Sequence, residues 1–187
     1  MSPITHFLTG WTIANLPTET TPRDRLLISL AAVIADVDGL GIVIDFITRR
    51  TTFYQDFHHV LGHNLLFGIF ITLIFSWFTT RKFLTGILAF IGFHLHLLED
   101  LIGSRSPDGY QWPIPYFWLF SNQWQWAWTG QWELNAWPNF LITGILLLMM
   151  FWLAIRRGFS PLEIISNNAD KAFVHALRQR FLDSSET

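Results

Sequence analysis

The chain contains no cysteine. That absence removes disulfides and thiolate metal ligands, so any metal must be held by imidazole and carboxylate, which suit zinc, manganese or iron. Charge is also scarce: 14% of the 187 residues are Asp, Glu, Lys or Arg, and the net charge is −2. No basic stripe remains to neutralise phosphates, so nucleic acid is not an expected partner. Residues 1–16 lack the basic leader and small-residue cleavage site of a secretory signal, and they read as mature protein.

What is abundant is apolar. Hydrophobic residues make up 51% of the chain and aromatic residues 17%, with a mean hydropathy of +0.33. No ordinary soluble domain needs that balance, and a lipid bilayer is the expected surrounding. Three runs, 60–79, 83–102 and 138–155, approach the ~20 apolar residues that span a hydrocarbon core. Two shorter runs, 3–16 and 26–38, flank a Pro-, Thr- and charge-rich stretch and read as a short helical hairpin. The pattern predicts an all-α integral membrane helical bundle of about five membrane helices, the first two short. A cytoplasmic amphipathic C-terminal helix follows, with Ala172, Val174, Ala176, Leu177 and Phe181 among charges. The expected division is a membrane domain, 1–157, and a cytoplasmic tail, 158–187.

Short connections favour antiparallel neighbours, and an up-and-down trace sorts the polar residues by end. His6 opens the first helix, Asp36 and Asp38 close the second, His58, His59 and His63 open the third, and His96 and Asp100 close the fourth. All fall at one end. Nine of the twelve basic residues fall at the other, leaving Arg49, Arg50 and Arg105 with the histidines. By the positive-inside rule the basic end is cytoplasmic and the histidine end faces outward. Residues 103–137 hold seven of the ten tryptophans. Indole rings favour the headgroup layer, so this loop is expected at the interface or lining a headgroup pocket.

His96 and Asp100 stand four apart, so a helix projects both from one face toward a common ion; His59 and His63 share that spacing. Each pair alone is more simply a hydrogen-bonded contact. Asp36 and Asp38, both ionised at a helix end, need a cation to offset their repulsion. His94, two residues from His96, faces away, Glu99 points to another helix face, and His175 is a surface residue of the tail. A site of two or three divalent ions, zinc before manganese or iron, explains the histidines and aspartates together.

The motifs resemble those of the YdjM-like inner-membrane proteins, a family regarded as metal-dependent hydrolases. The resemblance is carried by Thr5-His6, by Asp36-Val37-Asp38, by His58-His59-Val60-Leu61-Gly62-His63-Asn64, and by His96-Leu97-Leu98-Glu99-Asp100 running on to Trp112-Pro113. It covers about residues 1–157. It departs where the central motif lacks the usual Arg, Gly and Thr, and where Ala35 replaces a proline. The resemblance implies a bacterial inner-membrane location and metal ligands at His6, Asp36, Asp38, His58, His63, His96 and Asp100. It makes His58 the first ligand of the central motif, whereas helical spacing favours His59; His58 is ranked first. Asp36 or Asp38 is expected to bridge two ions or to accept a proton from water. The ligand order also resembles that of zinc-dependent phospholipase C and related phosphodiesterases. The expected activity is therefore hydrolysis of a phosphoester, lipid or lipid-linked. A non-enzymatic metal-binding or sensor protein is the rival reading, and a haem protein would leave the carboxylates without a role.

Overall fold

Two proline-led helices form the centre of the molecule, in a computed structural model that describes residues 1–121 and 123–182. Helix α1 (Pro3–Ala14) starts where the Ser2 side chain accepts from the Thr5 amide, and α2 (Pro22–Ala31) starts at a reciprocal capping box between Thr21 and Asp24. Between helices in lipid there is little hydrophobic gain to exploit, so association depends on close packing of small residues. Gly10 supplies it: a Cβ there would lie 2.7 Å from the Ala32 Cβ and 2.8 Å from the Ser29 Cα. Helix α1 packs on α2, α6 (Lys82–Gly103) and α7 (Trp137–Arg157), and α2 on α1, α5 (Leu65–Trp77) and α6, so the short first helices are lined by longer ones.

Helix α6 (Lys82–Gly103) and α7 (Trp137–Arg157) are long and apolar enough to cross a membrane. The count rises to three if α2 and the segment Ile34–Thr48, bent from it by 50°, form one broken span. Among the described residues two or three spans thus qualify by length where five membrane helices were expected, for two local reasons. The run 60–79 is helical only as α5 (Leu65–Trp77). Its start is delayed because the Gly62 amide donates to Asp38 and Asn64 caps the helix by accepting from the Phe67 amide. The run 26–38 is not one helix either: α2 ends at Ala31 and a 3-10 segment, Ile34–Leu40, follows. At this break the Ala32 carbonyl accepts from His96 Nδ1 at 2.8 Å.

Residues 41–57, to which the sequence pattern assigned no helix, fold as a hairpin of α3 (Gly41–Thr48) and α4 (Phe53–Phe57). The Asp45 carboxylate closes it by accepting from the Phe53 and Tyr54 amides at 2.8 Å each and from Thr51 at 2.6 Å. Ile42, Val43, Phe46 and Ile47 on α3 are exposed, as an element bathed in lipid allows. The loop after α6 folds back over the same end of the bundle. Ile114 is fully buried against Ala35, Phe93 and Leu97, and the Gln131 side chain donates to the Asp100 carbonyl at 2.8 Å.

At the opposite end the chain after Arg157 docks. The Arg25 guanidinium makes a bidentate pair with Glu163 at 2.6 and 2.7 Å and lies 3.6 Å over the Phe159 ring. The Asp170 carboxylate accepts from the Ser160 amide and hydroxyl at 2.6 Å each. Helix α8 (Asn167–Phe181) leans on α7, with Val174 buried and Phe173 against Phe151. His175 is exposed, as expected. The last residues of the predicted tail, 183–187, lie outside the described residues.

A candidate metal centre

Four elements deliver side chains to one buried point. The four-residue spacing on α6 places His96 Nε2 3.0 Å from Asp100 Oδ2. From the first turn of α1, His6 Nε2 comes within 3.2 Å of Asp100 Oδ1. The 3-10 segment after the α2 break brings Asp36 Oδ1 to 3.7 Å from His96 Nε2. The turn before α5 contributes His63 Nε2 at 3.3 Å and His59 Nε2 at 3.6 Å from Asp100 Oδ2. His6, His63 and His96 are wholly buried and Asp100 is 2% exposed.

These donors form two groups with one member in common. His6, Asp36, His96 and Asp100 offer ligand atoms within 4.8 Å of one another, and so do His59, His63 and Asp100. Each group is small enough to share an ion. Asp100 faces both, one oxygen toward His6 and the other toward His63, His59 and His96, whereas sequence reasoning gave the bridging role to Asp36 or Asp38.

The outer partners fix which nitrogen points inward. His6 Nδ1 donates to Glu99 Oε2 at 2.6 Å, and Thr9 holds the other Glu99 oxygen at 2.5 Å. His63 Nδ1 donates to Asp38 Oδ2 at 3.0 Å, and His96 Nδ1 to the Ala32 carbonyl. In all three rings the anchored proton is on Nδ1, which leaves the Nε2 lone pair aimed at the cluster, the arrangement found where a metal-binding histidine is oriented by a hydrogen bond on its other nitrogen. Glu99, expected on another face of α6, is instead the anchor of His6. Asp38 is saturated by the His58 and His63 rings and the Gly62 amide. It belongs to neither group, and His58 stands behind it rather than in the cluster. Of the two adjacent histidines the structure brings in His59, because the backbone turns through a left-handed φ of 65° there. His94 turns away, donating to the Phe90 carbonyl and accepting from the Tyr116 hydroxyl, both at 2.8 Å.

The electrostatics favour positive charge at this point. His63 Nε2 and His96 Nε2 are 3.1 Å apart, and with both Nδ1 atoms anchored as donors two lone pairs face each other. Only a shared proton or positive ion relieves that contact. Burial works against charge on His63, yet Asp100 and Asp38 outweigh it and hold its pKa up at about 9, whereas burial keeps His59 well below the ordinary imidazole range and neutral. The Met1 amino group also pairs with Asp100. Among the described residues, three buried atoms of the cluster, His6 Nε2, Asp36 Oδ2 and His59 Nδ1, have no hydrogen-bond partner. Nitrogen and carboxylate donors, inward lone pairs and unpartnered atoms all fit a divalent metal.

An aromatic wall stands beside the cluster. Tyr54 stacks on His58 with ring centroids 4.6 Å apart, and Trp112 lies 5.2 Å from His58 and 5.6 Å from His59. Neither ring was singled out by the sequence, beyond the tryptophan-rich loop and the Trp-Pro motif. Burial and the fields of Asp36, Asp38 and Asp100 push the Tyr54 phenol pKa up.

Comparison with known proteins bears on what such a centre belongs to. A family model described as YdjM inner membrane protein matches residues 1–165. No curated protein and no solved structure matches.

Proposed function

This chain belongs to the YdjM inner membrane protein family, and from that premise we propose that it is a metal-dependent hydrolase acting on a phosphoester of a lipid or lipid-linked molecule. The observation that carries the reading is the pair of donor groups joined through Asp100. One group, His6, Asp36, His96 and Asp100, would hold one divalent ion; the other, His59, His63 and Asp100, would hold a second. Zinc suits the set best, with manganese or iron as alternatives. Such ions, when bound, supply Lewis acidity that lowers the pKa of water and offsets charge on a phosphoryl group.

The chain's own residues do the rest. Glu99, Asp38 and the Ala32 carbonyl keep the three rings in register. Asp36 is the more accessible carboxylate of the two groups, with its side chain 22% exposed, while its Oδ2 is buried and unpartnered at the cluster. It is placed to take a proton from the attacking water as oxygen adds to phosphorus. The proton then passes to the alcohol released as the phosphorus–oxygen bond breaks. Trp112 and Tyr54 limit bulk water above the cluster.

A lipid substrate is favoured by the surroundings. Leu61, Leu66, Phe67, Phe70, Trp118 and Leu119 line an apolar groove of about 320 Å³ beginning beside the His63 turn, wide enough for part of an acyl chain. Below the site Ile13, Ala14, Ile28 and Leu88 form a dry cluster, which argues against conduction of ions along the bundle. The basic residues at the far end support, by the positive-inside rule, a site on the outer side of the membrane.

The test is metal content by mass spectrometry on detergent-purified protein, beside Asp100→Ala and His63→Ala, with phosphodiester hydrolysis measured on the same samples. About two ions per chain in the parent, lost together with hydrolysis in both variants, is the expected result. A parent that binds no zinc, manganese or iron after reconstitution would overturn the reading.

A further inference from the structure

Beside the histidine cluster, on the far side of Trp112, lies a cavity of about 300 Å³ lined by Tyr54, Gln55, Ser106, Asp108, Tyr110 and Trp112. Its volume is at the small end for ligand sites, the size of a headgroup rather than a whole lipid. Trp112 is its centre wall, edge-on to Tyr110 at 5.2 Å and to Tyr54 at 5.7 Å between ring centroids. The same indole contacts His58 and His59. A molecule in the cavity is therefore one ring's width from the candidate metal centre.

The walls are held in place. Two amide bonds to Asp45 fix the start of α4 and hence Tyr54. The Asp108 carboxylate accepts from the Tyr110 amide at 3.1 Å, while the Ser106 amide donates to the Tyr110 carbonyl at 3.0 Å. The Tyr110 amide and the Ser106 side chain, both bonded to the Asp108 carboxyl, keep it below its ordinary pKa range and so ionised. Asp108 is the one charged side chain among the lining residues. Arg105, the nearest arginine in sequence, is turned to Glu133 at 3.8 Å. An acidic rim repels an anionic group, and aromatic rings attract a cation through their negative faces.

We propose that this cavity is the recognition subsite for the ammonium group of a phosphoester headgroup, with Tyr54, Tyr110 and Trp112 as its aromatic walls and Asp108 as its counter-ion. The inference rests on the hydrolase reading for one point, that the linked phosphate is presented to the histidine–aspartate cluster. Trimethylammonium and primary ammonium groups share the chemistry. Aromatic walls favour the first, and Asp108, Ser106 and Gln55 offer acceptors to the second.

The experiment is calorimetric titration of the full chain in detergent with phosphocholine, phosphoethanolamine, glycerol phosphate and tetramethylammonium, in metal-loaded and metal-stripped protein. Tyr110→Ala and Asp108→Asn, both at exposed positions, are titrated alongside. The ammonium-bearing phosphates should bind about tenfold more tightly than glycerol phosphate, and both variants should erase that preference with metal content unchanged. Whichever of the two ammonium compounds binds better identifies the source. Tetramethylammonium carries no phosphate, so its binding to stripped protein and loss in Tyr110→Ala supports the subsite even if the hydrolase reading fails. Equal binding of glycerol phosphate, or no ammonium binding to metal-loaded protein, overturns the subsite while leaving the metal centre standing.

Discussion

Replacement of Asp38 by asparagine separates the geometry found here from a reading in which every acidic residue of the motif is a ligand. Asp38 accepts three hydrogen bonds, from His58 Nδ1 at 2.9 Å, His63 Nδ1 at 3.0 Å and the Gly62 amide at 2.9 Å. Asparagine keeps one acceptor oxygen and turns an NH₂ group toward at least one of those donors. A buried donor left without a partner costs about 1–3 kcal/mol of stability. Losing the carboxylate behind a ligating histidine typically weakens metal binding about 10–100-fold, or about 1.4–2.8 kcal/mol. Asp38→Asn should therefore still take up the parent's number of ions at saturating zinc, with affinity reduced in that range. Asp100→Asn should lose ions outright, because both donor groups contain Asp100. Zinc titration against a chromophoric chelator reads stoichiometry and affinity separately. If folded Asp38→Asn loses a whole ion at saturation while Asp100→Asn keeps both, the assignment of Asp38 as an orienting group is refuted.

Three further outcomes follow from the same structure. Arg25→Ala leaves Glu163 buried without its partner and should destabilise the fold by about 3–5 kcal/mol, seen as a lower detergent melting temperature and faster proteolysis after Arg157; an unchanged cleavage pattern would show that the ion pair does not hold the tail. Gly10→Ala forces a methyl group into the α1–α2 contact and should cost about 1–3 kcal/mol, whereas Gly144→Ala, with nothing within 4 Å of its Cβ, should be neutral or stabilising. A cysteine introduced at Gln123 in this cysteine-free chain should react with an impermeant thiol reagent from the outer side of intact cells. Labelling only after the inner face is exposed would reverse the orientation argued from the basic residues.

Some of this was legible in the amino-acid order. Hydropathy identified a helical membrane protein, because satisfying backbone polar groups in lipid leaves few alternatives. The i, i+4 spacing placed His96 and Asp100 on one face, and an antiparallel trace put six histidines, His94 among them, and three aspartates at one end. Helical periodicity has no access to where a chain stops being helical, however. The break after α2, the late start of α5 and the α3–α4 hairpin arise from contacts between residues far apart in sequence, such as Gly62 with Asp38 and His96 with the Ala32 carbonyl.

The division of labour within the motif was decided by those same contacts. Sequence determined which residue types gather at the site and excluded thiolate chemistry outright. Only the tertiary structure chose His59 over its neighbour for the cluster, set Asp38 behind the rings, turned Glu99 toward His6 and gave Asp100 both donor groups. The reason is that a ligand's role depends on which atom of its side chain points inward. That direction is fixed by a hydrogen bond on the opposite atom, made to a partner on another helix.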